Sequence, residues 1–156
     1  MLRIRGWSIG ITICYDVRFP ELYRALARAG ADLFLVPAAF AASTGNAHWK
    51  SLLRARAIEN GAFVVASATV STGHTPTEFP THGHAMIVNP WGGILTDLQK
   101  EAPALAVMDI AHDEVKTART ALPVLEQIRA NAYAAKIDVL DPGQEEDPSC
   151  QTHTTA

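Results

Sequence analysis

The chain contains 156 residues, of which 48% are hydrophobic and 19% are charged, and its 13 basic against 16 acidic side chains give a net charge of −3. These values exclude a mainly disordered chain and argue against a nucleic-acid partner, because the net charge is small and no basic excess is present. No apolar run reaches membrane-spanning length, and two cysteines make no disulfide framework, so we expect a cytoplasmic globular protein without a membrane partner.

The first half of the chain predicts strands that alternate with helices. Every second residue is Ile near the start, which predicts a strand over 7–14 with Ile9, Ile11 and Ile13 on one face. A helix is predicted from Pro20 to Gly30, since proline suits a first helical turn and glycine a C-terminal end. The next elements in chain order are a strand over 33–36, a loop over 38–47, a helix over 47–60, a strand over 63–68 and a loop over 69–81.

The second half predicts a hairpin followed by a strand and two helices. Segments 84–89 and 94–98 flank a Pro-Trp-Gly-Gly turn, which is typical of a β-hairpin. A further strand is predicted over 104–110, and short helices over 112–120 and 124–134. This order of elements indicates a layered α/β fold.

The two ends of the chain carry their own predictions. Residues 3–7 read as the second half of a strand pair whose first strand is absent, so we expect a sequence cut at its front. Residues 137–156 hold five acidic residues and no Lys or Arg. We therefore predict a working domain over 1–135 and an acidic, disordered tail over 136–156, with Cys150 assigned no chemistry.

Cys14 is the strongest candidate for chemistry. It ends an apolar strand just before a turn into a helix, where a thiol is exposed and neighbouring backbone N–H groups can hold an oxyanion. The alternative interpretation is a buried free cysteine that packs as a small hydrophobic residue.

The segment Gly10-Ile-Thr-Ile-Cys-Tyr-Asp-Val-Arg-Phe-Pro-Glu-Leu22 resembles the nucleophile segment of the nitrilase superfamily of carbon–nitrogen hydrolases. The resemblance covers about residues 3–135 and continues in register. Its further segments are Val36 to Trp49, Leu53 to Asn60, His82 to Gly92 and Leu122 to Arg129. The Thr-Gly-x-Ala-His-Trp element is most similar to the branch of omega-amidases and deaminated-glutathione amidases.

The resemblance implies a four-layer α-β-β-α sandwich of which this chain supplies the C-terminal half, the N-terminal half being absent. It also implies that Cys14 is the nucleophile and that the substrate is a non-peptide amide that carries a carboxylate. The Tyr15 backbone N–H would then donate to the oxyanion. In the family a Glu base and an oxyanion Lys precede the cysteine, but no Glu or Lys precedes Cys14 here. Since a free thiol is mostly protonated at neutral pH, we expect negligible amidase activity from the isolated chain.

The residues that match the family's acyl pocket are Arg18, Phe40 and Thr44. Arg18 has a planar fork that suits a substrate carboxylate, although a structural ion pair with Glu21 is the alternative. His48 and Trp49 are interpreted as packing and hydrogen-bonding residues.

No cofactor is implied, and no metal site is expected. His74, His82 and His84 suggest a metal cluster, but no carboxylate or thiol ligand stands at convincing spacing.

The family also pairs its subunits through two helices, so 20–30 and 47–60 are expected to form a homo-oligomer. Four leucines would then be exposed in a monomer: Leu22, Leu26, Leu52 and Leu53.

Three hypotheses remain open at this point. The chain is a fragment of an amidase, or an inactive carboxylate-binding or subunit module that needs a separate N-terminal half, or a self-sufficient cysteine enzyme that uses His82 or His84. A reading frame upstream with a Glu and a Lys would favour the first hypothesis.

Overall fold

The computed structural model describes residues 1–71 and 79–133. The predicted tail over 136–156, His74 and most of the loop predicted over 69–81 lie outside the described residues. None of the helices in the described ranges combines the length and apolar character needed to cross a membrane.

In the described part of the chain, six strands form one mixed sheet in sequence order. The strands are β1 (Leu2–Ile4), β2 (Trp7–Ile11), β3 (Leu33–Leu35), β4 (Phe63–Ala66), β5 (Met86–Val88) and β6 (Ile94–Asp97). The central strands β2, β3 and β4 are parallel, whereas β1 pairs with β2, β4 with β5 and β5 with β6 in antiparallel fashion. The helices are α1 (Pro20–Arg28), α2 (Ala42–Asn60), α3 (His112–Ala121) and α4 (Ala130–Tyr133), with a 3₁₀ helix over Cys14–Arg18. The predicted mixed α/β class is confirmed.

The start of the sheet differs from the prediction. The strand pair whose first strand was expected to be absent is present, because β1 pairs with β2 around a tight turn at Arg5 and Gly6. Both turn residues have positive φ, 48° and 85°, which is the backbone that a two-residue antiparallel hairpin requires.

Helices α1 and α2 cover one face of the sheet and form the main core. α1 begins at Pro20 and the chain leaves it through Gly30 at φ 97°, as the sequence predicts. Buried side chains from both helices meet the even-numbered strand residues of this face. They include Tyr23, Trp49, Leu53, Phe34, Val36, Val64, Met86 and Val88. The segment around Cys14 therefore leaves the sheet on the side covered by these two helices.

The four leucines expected to be exposed are mostly covered within this chain. Leu53 is fully buried, and Leu26 and Leu52 are half-buried against the main core, so only Leu22 matches the expectation. The reason is that the apolar stripes of α1 and α2 face the sheet, which leaves less apolar helix surface for a partner.

Helix α2 begins at Ala42, five residues before the predicted start. The run of small residues was interpreted as a loop, but alanine is the strongest helix former and the serine and threonine that follow are tolerated in a first turn. The second half of the predicted loop over 38–47 is therefore helix, and this places Thr44 on the same helix as His48.

Two predictions for the C-terminal part of the chain are also wrong. No strand forms over 104–110: the segment does not pair with the edge strand β6, and its first residues, Ala104 to Ala106, line a cavity together with Val65 and Ile87 of the sheet. The helix predicted over 124–134 is reduced, within the described residues, to Ala130–Tyr133 after a turn that follows Pro123.

The second face of the sheet is apolar and only partly covered. Its inner part packs on Val115 of α3, next to Trp7 and Phe63. Toward the other end of the strands, Ile11 is 51% exposed and Ile13 is 64% exposed. This open surface lies at the end of the sheet where Cys14 is found.

Candidate active site

Cys14 lies just past the carboxyl end of β2, next to the carboxyl ends of β3 and β4. Its N–H donates to the carbonyl oxygen of Pro37 at 2.8 Å, which continues the parallel pairing of β2 with β3 beyond the regular strands. An open groove beside it is lined by Ile13, Pro37, Ala38, Ala39, Ser67, Ala68 and Thr69. Ligand sites of open α/β sheets form at this end of parallel strands, so the position suits a nucleophile.

The backbone of Cys14 is strained, with a φ of 45°. Non-glycine residues in this left-handed region cost about 1–2 kcal/mol and persist where the surroundings enforce them. Here Asp16 helps to enforce the turn, since its carboxylate accepts the Ile13 N–H at 2.8 Å while its own N–H donates to the Ile13 carbonyl oxygen at 2.9 Å. The sequence did not single out Asp16, although an acidic residue three positions after the residue that precedes a helix is a usual signal of such a bond.

Tyr15 follows Cys14 at the start of the 3₁₀ helix. Its backbone N–H belongs to the first turn, whose N–H groups lack helical acceptors. The Tyr15 ring is 62% exposed, and its centroid lies 5.7 Å from that of Phe19.

Buried polar contacts support the 14–18 turn from the side of the helices. Arg56 is only 5% exposed, and its Nε donates to the Val17 carbonyl oxygen at 2.9 Å. Its Nη1 also contacts Oε1 of Glu59 at 2.6 Å, so the buried cation is paired. The Arg56 guanidinium carbon lies 5.6 Å from the Tyr23 ring centroid. α2 thus holds the turn that follows Cys14, a role that sequence reasoning missed.

The three residues predicted for the acyl pocket are brought together. Nη2 of Arg18 donates to Oγ1 of Thr44 at 3.3 Å, and its guanidinium carbon lies 5.0 Å from the Phe40 ring centroid. The same carbon lies 5.3 Å from the ring of Tyr15, and Nη1 lies 3.1 Å from Nδ1 of His48. The alternative interpretation, an ion pair between Arg18 and Glu21, is not among the salt bridges of the described residues.

His82 and His84 form a stacked pair, with ring centroids 4.4 Å apart. Nδ1 of His84 contacts Oδ1 of Asp97 at 3.0 Å. Burial lowers the pKa of His82, and the charges of His84 and Lys100 act in the same direction. Burial raises the pKa of Asp97, but hydrogen bonds from the Gln99 N–H and from His84 outweigh it and hold that pKa below its usual value.

This histidine cluster is separate from the Cys14 groove, whose lining includes neither ring. Among the described residues, no group of three or more His, Cys, Asp or Glu side chains is arranged to hold a metal ion.

Comparison with known proteins gives consistent relatives. The sequence model of the carbon–nitrogen hydrolase family matches residues 1–120. A deaminated glutathione amidase from Synechocystis sp. (strain PCC 6803 / GT-S) is 54% identical over 119 residues, which are 76% of this chain and 43% of the relative.

Two solved structures share the fold. The crystal structure of the C. elegans NitFhit protein has a TM-score of 0.70 and 41% identity, over 80% of this chain and 30% of that chain. A variant of the amidase from Nesterenkonia sp. AN1 shows covalent addition of the acetamide moiety of fluoroacetamide at its active site cysteine. It has a TM-score of 0.67 and 32% identity, over 85% of this chain and 45% of that chain. The chain therefore spans less than half the length of each of these relatives.

Proposed function

Because the chain belongs to the carbon–nitrogen hydrolase family, we propose that it supplies the nucleophile and the acyl pocket of an amidase that cleaves a small non-peptide amide. The observation that carries this proposal is the strained Cys14 at the carboxyl ends of three parallel strands, beside an open groove. A relative that carries an acetamide group on its active site cysteine supports a cysteine nucleophile in this fold.

The proposed reaction has two halves. The Cys14 sulfur gives up its proton and bonds to the amide carbonyl carbon, the C–N bond breaks, and the nitrogen takes up a proton and leaves as ammonia or an amine. Water then attacks the thioester, which releases a carboxylic acid and restores the thiol. The Tyr15 backbone N–H is proposed to donate to the oxygen that becomes negative in both halves.

A base and a further oxyanion donor are needed, and the resemblance implies that they are a Glu and a Lys that precede the nucleophile. In this chain the first Glu is Glu21 and the first Lys is Lys50, both after Cys14. We therefore propose that a Glu and a Lys reach Cys14 from another segment, either joined to this chain or supplied by a separate one.

The open face of the sheet supports the same arrangement. Ile11 and Ile13 are exposed on it, and Leu105 and Val107 in the segment after β6 are 86% and 85% exposed. Several exposed apolar residues close to one face of a sheet are typical of a surface that packs against a further layer of structure. We propose that a second sheet with its own helices covers this face and completes a four-layer sandwich.

The proposed substrate is a small omega-amide with a carboxylate at its other end. Arg18 lies in the same five-residue turn as Cys14, and aromatic rings flank its guanidinium, which favours a planar carboxylate. The deaminated glutathione amidase relative supports an amide of this chemical class.

A contact with a second copy of the chain is also proposed. Phe19 and Leu22, at the start of α1, are 48% and 38% exposed. Analytical ultracentrifugation should show weaker self-association for Leu22→Asp, and equal association of this variant and the parent chain would contradict the contact.

The activity is tested with two proteins. One is the chain alone, and the other is the chain extended at its start by the part of the Synechocystis relative that precedes the matched region. We expect ammonia release from glutaramate by the extended protein only, and none after Cys14→Ser. Equal rates for the extended protein and its Cys14→Ser variant would overturn the proposal, and so would full activity of the chain alone.

The second candidate function is an inactive module that binds small carboxylates. It is favoured by the Arg18 cluster, which this chain assembles from its own residues Thr44 and His48. Binding of glutarate without hydrolysis of glutaramate by the extended protein would support it.

A further inference from the structure

The guanidinium of Arg18 is held by two acceptors that lie one helical turn apart. Thr44 and His48 both belong to α2, and they contact Nη2 and Nη1 of Arg18 at 3.3 Å and 3.1 Å. Residues four positions apart share one face of a helix, so this pair forms a fork that matches the two amino groups. Because each amino group of the guanidinium makes one of these hydrogen bonds, the guanidinium plane is held in one orientation.

The contact with His48 has only one possible direction. A guanidinium carries five N–H donors and no acceptor, so Nδ1 of His48 must be the unprotonated acceptor and Arg18 the donor. This assigns the neutral ring with its proton on Nε2. Thr44 likewise accepts from Arg18, which leaves three N–H donors of the guanidinium for a ligand.

The helix that carries both acceptors is firmly anchored next to them. Trp49, the neighbour of His48, is fully buried, and its Nε1 donates to the His84 carbonyl oxygen at 2.9 Å. Phe40 packs against Trp49 with ring centroids 4.7 Å apart, so the ring that flanks Arg18 is fixed by the same residue. The backbone of His48 is therefore held in place relative to the ring that flanks Arg18, while the His48 side chain is exposed.

We propose that His48 is a positioning residue for carboxylate selectivity: its Nδ1 holds the Arg18 guanidinium in the orientation that receives the substrate carboxylate. This inference rests on the carboxylate pocket of the proposed function. His48 itself touches no reacting atom in this assignment, so it acts on ligand affinity and not on the bond-breaking step.

The test compares three variants of the purified chain by calorimetric titration with glutarate and with neutral glutaramide. His48→Leu keeps a similar volume but removes the acceptor, whereas His48→Asn can place an amide oxygen near the position of Nδ1. Asn46→Leu puts the same apolar side chain at an exposed position two residues away and serves as the control.

We expect His48→Leu to weaken glutarate binding about fivefold, while His48→Asn and Asn46→Leu stay within about twofold of the parent chain. Binding of glutaramide should be the same in all four proteins. Unchanged glutarate binding by His48→Leu would overturn the inference. It would also be overturned if His48→Asn bound as weakly as His48→Leu, or if the parent chain did not bind glutarate.

Failure of the proposed reaction can be distinguished from failure of the proposed role of His48. If the extended protein hydrolyses no amide while the variants show the expected order of glutarate affinities, the amidase proposal is wrong and the role of His48 stands.

Discussion

The hydroxyl oxygens of Thr12 and Tyr23 lie 2.7 Å apart, behind the strand end that leads to Cys14. The Thr12 hydroxyl also donates to the Leu35 carbonyl oxygen at 3.1 Å, and since a hydroxyl has one hydrogen, Tyr23 is the donor to Thr12. α1 is thereby tied to Thr12, the residue that follows β2, by a fully buried bond.

Tyr23→Phe tests this buried phenol through the dependence of stability on pH. Burial raises the pKa of Tyr23 to about 12, from 10.0 in the unfolded chain. The folded state holds the proton more tightly, so its stabilisation is complete below about pH 10 and is lost as the pH rises from 10 toward 12. The loss amounts to about 1.4 kcal/mol by about pH 11.

We expect urea unfolding at a series of pH values to show this fall in the parent chain and a smaller fall in Tyr23→Phe. Tyr15→Phe is the control, because that ring is exposed. If both variants lose stability with pH as steeply as the parent chain, the buried phenol is not the cause.

Gly45→Ala tests the contact between α2 and the histidine pair. Alanine is favoured over glycine in a helix interior by about 1 kcal/mol, so propensity alone predicts a more stable protein. A Cβ at this position would overlap the His82 ring, however, and we expect a net loss of about 2 kcal/mol in urea unfolding.

The same substitution in a His82→Gly background provides the matched control. Both the Cβ and the ring of His82 overlap the added methyl group, so removing the whole side chain makes room for it, and Gly45→Ala should then be neutral or stabilising. An equal loss in both backgrounds would show that the cost of Gly45→Ala does not come from His82.

Much of this fold follows from local sequence patterns. The alternation of Ile9 and Ile11, the proline at position 20 and the glycine at position 30 are local features, and each lies where the pattern predicts. The hairpin of β5 and β6 is also local, because Asn89 accepts the N–H groups of the turn residues Trp91 and Gly93.

The errors arise where distant parts of the chain decide the outcome. The apolar run over 104–110 is compatible with a strand, yet the segment does not pair with the edge strand β6. The role of Arg56 depends on Val17, 39 positions earlier, and no spacing rule connects them. The meeting of Arg18 with Thr44 depends in the same way on the packing of α2 against the 14–18 turn.

Arg18→Lys tests the carboxylate pocket in the extended protein. Lysine keeps the charge but lacks the planar fork, so we expect the KM for glutaramate to rise about tenfold, while the KM for neutral butyramide stays unchanged. Arg28→Lys, at the exposed end of α1, is the control and should leave both values as they are. A KM for glutaramate that does not change in Arg18→Lys would refute the role of Arg18.

Cys14→Gly and Cys14→Ala separate the backbone strain at Cys14 from its proposed role as nucleophile. Both variants lack the sulfur, so neither should release ammonia from glutaramate in the extended protein. Glycine adopts a φ of 45° without a steric penalty, whereas alanine does not, and we expect Cys14→Gly to be about 1 kcal/mol more stable than Cys14→Ala. The neighbouring Ile13 has a φ of −136°, so Ile13→Gly should instead be less stable than Ile13→Ala. Urea unfolding of the four variants measures both differences. If the glycine variant is less stable than the alanine variant at both positions, the left-handed backbone at Cys14 stores no strain. In that case the turn does not favour glycine at the position where the proposed reaction requires a cysteine.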